Sequence, residues 1–203
     1  MNKTRRLFLT LPLVAAAMTA PALADPIPLS ELSRYLNALQ TAKGEFTQIN
    51  GDGTISTGTI YIMRPGRIRF EYNPPDAALV MAGGGQVAIF DSKSNTGPEQ
   101  YPLRRTPLSI ILDRNVDLGR ANMVVDHRED GVSTVVTAQD PEHPEYGNIQ
   151  LVFTNDPVEL RQWIITDDTG TQTTVVLQAL QEGVQISSRL FNIPLEVDSR
   201  RRN

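Results

Sequence analysis

The chain contains no cysteine. A disulfide framework, a thiol nucleophile and a metal site with cysteine ligands are therefore excluded. A lipid-modified N-terminal cysteine is excluded on the same ground. Together with the export signal at the start of the chain, this absence predicts a soluble exported protein.

Side chains suited to catalysis are also scarce. The only histidines are His127 and His143, and no G-x-S-x-G motif is present. His127 stands in an acidic stretch just before Gly131, which favours a solvated hairpin end over a metal or general-base role. The glycines at 83–85 lack the following helix and lysine of a phosphate-binding loop, so they favour a hairpin. The sequence predicts that the protein is not an enzyme and has no metal or cofactor.

The charge balance argues against nucleic acid as a partner. The formal net charge is −4 at pH 7, and removal of the three cations Lys3, Arg5 and Arg6 would make it −7. Aromatic residues are few and do not alternate with cations, unlike the stacking surfaces that bind single strands.

Residues 1–24 have the form of a cleaved signal peptide. A positive start is followed by an apolar run from Leu7 to Ala20 and by an A-x-A site ending at Ala24. Arg5 and Arg6 fit both the general export route and the twin-arginine route, and the sequence leaves the two open. Residues 25–203 are expected to form a single domain in the periplasm.

Most of this remainder has the alternation of β-strands. Helical spacing occurs only at Leu29–Leu39, with Ser30 as the expected N-cap, and at Thr106–Asp113, with Thr106 as the expected N-cap. Short turns between the predicted strands favour an antiparallel meander of about ten or eleven strands, curved so that both helices lie across its concave side. The predicted strands are residues 45–50, 55–63, 67–72, 78–82, 86–92, 123–128, 133–138, 148–154, 160–166, 171–180 and 184–191.

The segment from Arg64 to Pro75 is the most informative part of the chain. Pro65 and Gly66 predict a type II turn between two strands, which places Arg64 at a strand end on the rim of the sheet. After the turn, Ile68 and Phe70 share an apolar face, whereas the intervening charged residues share the opposite face, which is expected to be exposed to solvent. Pattern alone leaves open whether the apolar face forms an ordinary core or the wall of a cavity.

Several motifs in order make the chain resemble the periplasmic outer-membrane lipoprotein carrier family, LolA. They are Gly44-Glu45-Phe46-Thr47-Gln48 after the first helix, Gly58-Thr59-Ile60-Tyr61-Ile62, the Arg64–Pro75 block, Thr106-Pro107-Leu108-Ser109-Ile110-Ile111-Leu112, and Phe191-Asn192-Ile193-Pro194 near the C-terminus.

The resemblance implies a half-open antiparallel β-barrel of about 11 strands with a helical lid over an apolar cavity. It implies a monomeric chaperone that receives triacylated lipoproteins from an inner-membrane ABC-type transporter and delivers them to an outer-membrane acceptor. Arg64 aligns with the arginine that holds the family's lid closed, although an arginine that extends into solvent stays an alternative. The expected acyl-chain contacts are Phe46, Ile60, Ile62, Ile68, Phe70, Val87, Ile89, Leu108, Ile111, Leu151, Phe153, Trp163 and Ile165.

Two other functions stay open at this stage. One is a carrier of free lipids such as phospholipids. The other is a regulatory domain of the same fold that senses mislocalised lipoproteins.

Overall fold

The computed structural model describes residues 25–202 except residues 92 and 95. The predicted signal peptide and its cleavage site after Ala24 lie outside the described residues. None of the helices in the described part of the chain is long and apolar enough to span a bilayer.

The described residues form one antiparallel sheet with three α-helices. The helices are α1 (Leu29–Ala38), α2 (Leu108–Leu112) and α3 (Ile193–Arg200). The strands are β1 (Thr41–Ile49), β2 (Ile55–Met63), β3 (Ile68–Tyr72), β4 (Leu79–Gly83), β5 (Gln86–Phe90), β6 (Glu99–Pro102), β7 (Val124–Asp130), β8 (Ser133–Gln139), β9 (Asn148–Asn155), β10 (Val158–Thr166), β11 (Gln172–Leu177) and β12 (Gln181–Glu182).

The sheet is open, because its first and last strands do not pair with each other. The strand order is β6-β5-β4-β3-β2-β1-β11-β10-β9-β8-β7, and β12 also pairs with β1. Apolar residues on one face pack with α1 and α2 into a large cluster that includes Leu32, Leu36 and Trp163. This is the predicted half-open barrel with a helical lid.

The tight turns follow the glycines as the sequence predicts. Gly83 pairs with Gln86 across a two-residue connection in which Gly84 and Gly85 both have positive φ. Such paired positive φ values belong to a hairpin turn that matches the twist of its strands. Gly66 likewise has a φ of 71°, at the turn between β2 and β3.

The end of the chain departs from the prediction. Residues 184–191 were expected to form a strand, but Ser188–Phe191 is a 3-10 helix and α3 follows it. The Asn192 side chain accepts a hydrogen bond from the Leu195 N–H, and Pro194 occupies the first turn of α3. Both are favourable at a helix start, and this capping signal overrides the short alternation before it.

The alternating pattern predicts that the outer face of the sheet is exposed to solvent, but part of this face is covered by protein. Ile193 and Val197 of α3 pack on an apolar cluster that contains Leu79, Met81 and Phe90. The predicted solvent-facing Arg69 is therefore buried, and its guanidinium donates to the Leu190 carbonyl and to Glu196. A helix absent from the predicted pattern thus covers part of the face that the pattern assigned to water.

Three smaller differences concern two helix starts and one short strand. Ser30 does not cap α1, because the helix begins at Leu29 with Pro28 in the N-cap position. Thr106 does not cap α2 either, since Pro107 takes that position. Strand β6 was not predicted, because it is short and polar and ends in proline. These are common features of strands at the edge of a sheet.

Candidate functional site

The apolar interior lies between the sheet and the helices α1 and α2. It contains eleven of the thirteen residues predicted to contact acyl chains as buried side chains, whereas Ile89 and Ile165 are half-buried. Strand register places them in facing pairs, for example Ile60 opposite Phe70 and Ile62 opposite Ile68. The sheet therefore brings the eleven predicted strand residues together on one face, and α2 supplies Leu108 and Ile111.

These residues fall into two groups. A cleft of about 660 Å³ opens between the β5–β6 side and the β10–β11 side of the sheet. The predicted residues that line it are Phe70, Val87, Ile89, Leu108, Trp163 and Ile165. The predicted residues that do not line it, and are packed in the buried cluster, are Phe46, Ile60, Ile62, Ile68, Ile111, Leu151 and Phe153.

Four aromatic rings at the cleft contact one another in a row. Ring centroids are 5.1 Å apart between Tyr72 and Phe46, 5.2 Å between Phe46 and Phe70, and 6.3 Å between Phe70 and Trp163. All three pairs meet edge to face, a favourable arrangement for aromatic side chains. Three of the four rings line the cleft, whereas the fourth, Phe46, belongs to the packed cluster.

The polar groups of the cleft wall are mostly neutral. Burial raises the pKa of Tyr72 to about 12, although its hydroxyl also donates to the Gln48 side-chain carbonyl 2.7 Å away. Burial likewise raises the pKa of Tyr101. Charged side chains lie among the lining residues as well, namely Glu99, Arg105, Asp167 and Asp168.

Arg64 lies directly after β2, at the rim of the interior, and is buried with only 5% of its surface exposed. Its guanidinium donates to the carbonyl of Leu36 in α1 and to the carbonyl of Asp113 just after α2. The alternative of an arginine that extends into solvent is therefore wrong. One side chain on the sheet joins both helices of the lid.

The guanidinium is held at an energetic cost. Burial lowers the pKa of Arg64, and the nearby Asp113 partly opposes this shift. Its Nε is buried without a hydrogen-bond partner. Desolvation of a charged group with an unsatisfied donor offsets part of the stabilisation that its hydrogen bonds provide.

Asn37 adds a second connection that sequence reasoning missed. Its amide donates to the Val116 carbonyl (2.8 Å) and accepts from the Val116 N–H (2.9 Å), and its oxygen also accepts from Arg64 (3.3 Å). One turn earlier, the Ser33 hydroxyl accepts from the Leu118 N–H at 3.0 Å. The spacing of four between two short polar residues on α1 was a usable signal, because it puts them on one helix face.

A second large cleft lies beside α2 and has a different character. It measures about 720 Å³, and its walls include Arg104, Arg114, Arg120, Asp113 and Asp117. Charged side chains do not suit an acyl chain. The smaller cleft also has four of them, but a larger share of its lining is apolar, so it is the better candidate site. No cluster suited to binding a metal ion occurs among the residues that the structure describes.

Together, the fold and the site define an open antiparallel half-barrel whose helical lid covers an apolar interior and accepts hydrogen bonds from one buried arginine. The chain belongs to the family of the outer membrane lipoprotein carrier protein LolA, whose family model matches residues 37–194.

Two sequence relatives carry the name of this family. The chain is 24% identical to the outer-membrane lipoprotein carrier protein of Methylococcus capsulatus, over 95% of this chain and 96% of the relative. It is 27% identical to the protein of the same name from Cupriavidus taiwanensis, over 86% of each chain. A LolA superfamily protein of Nitrosomonas europaea, known from a crystal structure, is 8% identical and superposes with a TM-score of 0.41 over 82% of this chain and 98% of that chain.

Proposed function

We propose that this protein is a periplasmic chaperone, not an enzyme, that binds the acyl chains of lipoproteins released from the inner membrane and delivers them to the outer membrane. The observation that carries the proposal is Arg64, which bonds both lid helices at the rim of an apolar interior. Family membership supports the same role, since the family is named for lipoprotein carriers.

The energy of the cargo explains why a carrier is needed. Burial of each methylene is worth about 0.8 kcal/mol, so three acyl chains hold a lipoprotein in a bilayer by tens of kcal/mol. Spontaneous release into water is negligibly slow at such a cost. A protein interior that replaces most of the lost burial makes the aqueous crossing feasible.

The same carrier must also release its cargo. Arg64 stabilises the empty form with the lid closed, and its bonds to Leu36 and Asp113 break when the lid opens over acyl chains. A preference of about 1–3 kcal/mol for the closed form weakens cargo retention by about 5- to 150-fold. The arginine thereby sets how readily the cargo passes to an acceptor.

The proposal includes three partners. They are triacylated lipoproteins as cargo, an ATP-driven transporter of the inner membrane that loads the carrier, and an outer-membrane acceptor that receives the cargo. The carrier itself acts as a monomer in this scheme.

Native mass spectrometry of the protein purified from the periplasm tests the proposal. We expect a bound triacylated lipoprotein in part of the population. Bound phospholipid alone would favour a carrier of free lipids instead. Protein that stays empty even after incubation with a triacylated lipopeptide would contradict the proposed function.

Arg64→Leu tests the role of the arginine. We expect the variant to load lipoprotein but to release it about 5- to 150-fold less readily, because the closed empty form loses its bonds. Transfer from purified, loaded carrier to outer-membrane vesicles is the measurement.

Arg67→Leu is the matched control, because Arg67 lies on the same turn and, among the described residues, its side chain donates only to the nearby Met63 carbonyl. Wild-type transfer by Arg64→Leu, or an equal defect in both variants, would contradict the assigned role.

A further inference from the structure

The interior is accessible at one end even while Arg64 holds the lid. The cleft of about 660 Å³ is open in the same structure in which Arg64 bonds to Leu36 and Asp113. Pockets of about 300–1,000 Å³ bind drug-sized ligands. The cleft therefore has room for a single acyl chain rather than for the three chains of a lipoprotein.

Two aromatic side chains in the lining of this cleft are almost fully buried. Phe70 and Trp163 both line it, and they are 5% and 0% exposed. Phe46, which contacts the Phe70 ring edge to face, belongs to the same buried cluster but does not line the cleft. We call Phe70 and Trp163 the inner wall.

The cleft and the arginine act on opposite ends of one short helix. Leu108, the first residue of α2, lines the cleft together with Thr106 and Pro107. Asp113, which follows the last residue of α2, accepts the hydrogen bond from Arg64. A ligand in the cleft therefore contacts the helix whose other end Arg64 holds.

We propose that the cleft is an entry compartment that takes one acyl chain while Arg64 still holds the lid closed. The inner wall of Phe70 and Trp163 stops this first chain, and the remaining interior becomes accessible only when the lid opens. The inference rests on the proposed function and deepens it, because it divides loading into a single-chain step and a lid-opening step.

Trp163 makes the proposal testable, because it is the single tryptophan of the chain. The probe is lysophosphatidylcholine with bromine at a chosen carbon of its one acyl chain, which quenches tryptophan fluorescence on contact. For wild-type protein, we expect quenching that saturates at one molecule per protein. We also expect bromine near the methyl end to quench most, because the chain end stops at the wall.

Opening the lid should change both results. In Arg64→Leu we expect more than one molecule to bind, and bromine in the middle of the chain to quench most, because the chain passes the wall. Native mass spectrometry of the same samples counts the bound molecules independently.

Ile89→Asp tests the position of the compartment. Ile89 lines the cleft and is only half-buried, so the charge should abolish binding of the single-chain probe without unfolding the protein. Ile55→Asp is the matched control, because Ile55 is 67% exposed and does not line the cleft. We expect this control to bind the probe as the wild type does.

Three results would overturn the inference. They are two or more molecules bound to the wild type, strongest quenching by mid-chain bromine in the wild type, and binding to Arg64→Leu but not to the wild type. Each of them leaves the proposed function intact if a triacylated lipopeptide still binds. Failure of the lipopeptide to bind to either protein would instead contradict the proposed function itself.

Discussion

At the scale of single residues, the protein places a few polar groups where they connect distant parts of the chain. Arg64 links β2 to both lid helices, and Asn37 links α1 to the segment after α2. Each group bonds mainly to backbone atoms, so the connection depends on where the backbone lies and not on a partner side chain.

Asn37→Ala should loosen the lid of the empty protein. The change removes both hydrogen bonds to Val116 and the acceptor for Arg64, and each such bond contributes about 0.5–1.5 kcal/mol. Hydrogen exchange at the Val116 and Leu118 amides should therefore accelerate by about tenfold or more.

Asn73→Ala is the control, because Asn73 is exposed and bonds to Thr57 away from the lid. Unchanged exchange at Val116 in Asn37→Ala would show that the two hydrogen bonds do not hold the segment.

The structure also changes which residues suit mutagenesis of the binding surface. Phe70 is attractive on pattern alone, but it packs between Phe46 and Trp163 with 5% of its surface exposed. A charge there would destabilise the fold as well as the site. Ile89 and Ile165 are better positions, because they are half-buried and line the cleft.

At the scale of elements, α3 gives the sheet a second packed face. The cover is partly ionic, since buried Arg69 lies 3.2 Å from Glu196 and 2.7 Å from Glu71. Arg200 of the same helix lies over the Phe90 ring at 4.8 Å. Arg200, the first of three consecutive arginines near the C-terminus, therefore contacts the covered face.

This cover should respond to acid. Desolvation tends to raise the pKa of Glu196, but hydrogen bonds and charge interactions with Arg200 and Arg69 outweigh it, so the net pKa is lowered. A lowered pKa means that ionised Glu196 stabilises the folded state above the ordinary glutamate pKa. That contribution is lost as the pH falls through the folded pKa.

Glu196→Gln should therefore lower the free energy of unfolding by about 1.5–3 kcal/mol at neutral pH and by little in acid. Urea unfolding over a series of pH values measures the difference. The control is Glu142→Gln, because Glu142 is exposed and pairs only with exposed Arg120, so about 0–1 kcal/mol is expected. A difference for Glu196→Gln that does not change with pH would contradict the ionic role.

At the scale of the whole molecule, the open sheet and the lid have different reasons to be stable. Every sheet strand pairs along its length with at least one neighbour, whereas α1 and α2 join the rest through side-chain packing and a few hydrogen bonds. Elements held by few hydrogen bonds open at lower free energy than the body of a fold.

Loading with a triacylated lipopeptide should therefore affect the lid selectively. We expect faster hydrogen exchange at Gly66, Val116 and Leu118. The Gly66 amide bonds to α2, and the other two bond to α1. The amides of β1 and β2 should keep their protection. Equal acceleration in the strands would indicate that the sheet itself opens to admit the cargo.

The sequence alone determined the sheet to a large extent. Strands β2, β3 and β9 lie within a residue of their predicted ends, because alternation of period two reports directly which side chains share a face. The same alternation put Ile60, Phe70 and Trp163 on the inner face. The turns at Gly66 and Gly84 followed from the positive φ that glycine adopts without strain.

What packs against each face of the sheet follows from the tertiary structure and not from the local pattern. Alternation cannot tell that α3 folds back over Arg69, that Asn37 reaches Val116, or that Phe70 borders the open cleft while Ile68 is packed beneath the lid. The physical reason is that burial and hydrogen bonding depend on neighbours far apart along the chain. The absence of cysteine and the turn at Pro65 and Gly66 can be read from the sequence. The acceptors of Arg64, in contrast, depend on how two helices that are distant in the sequence pack against the sheet.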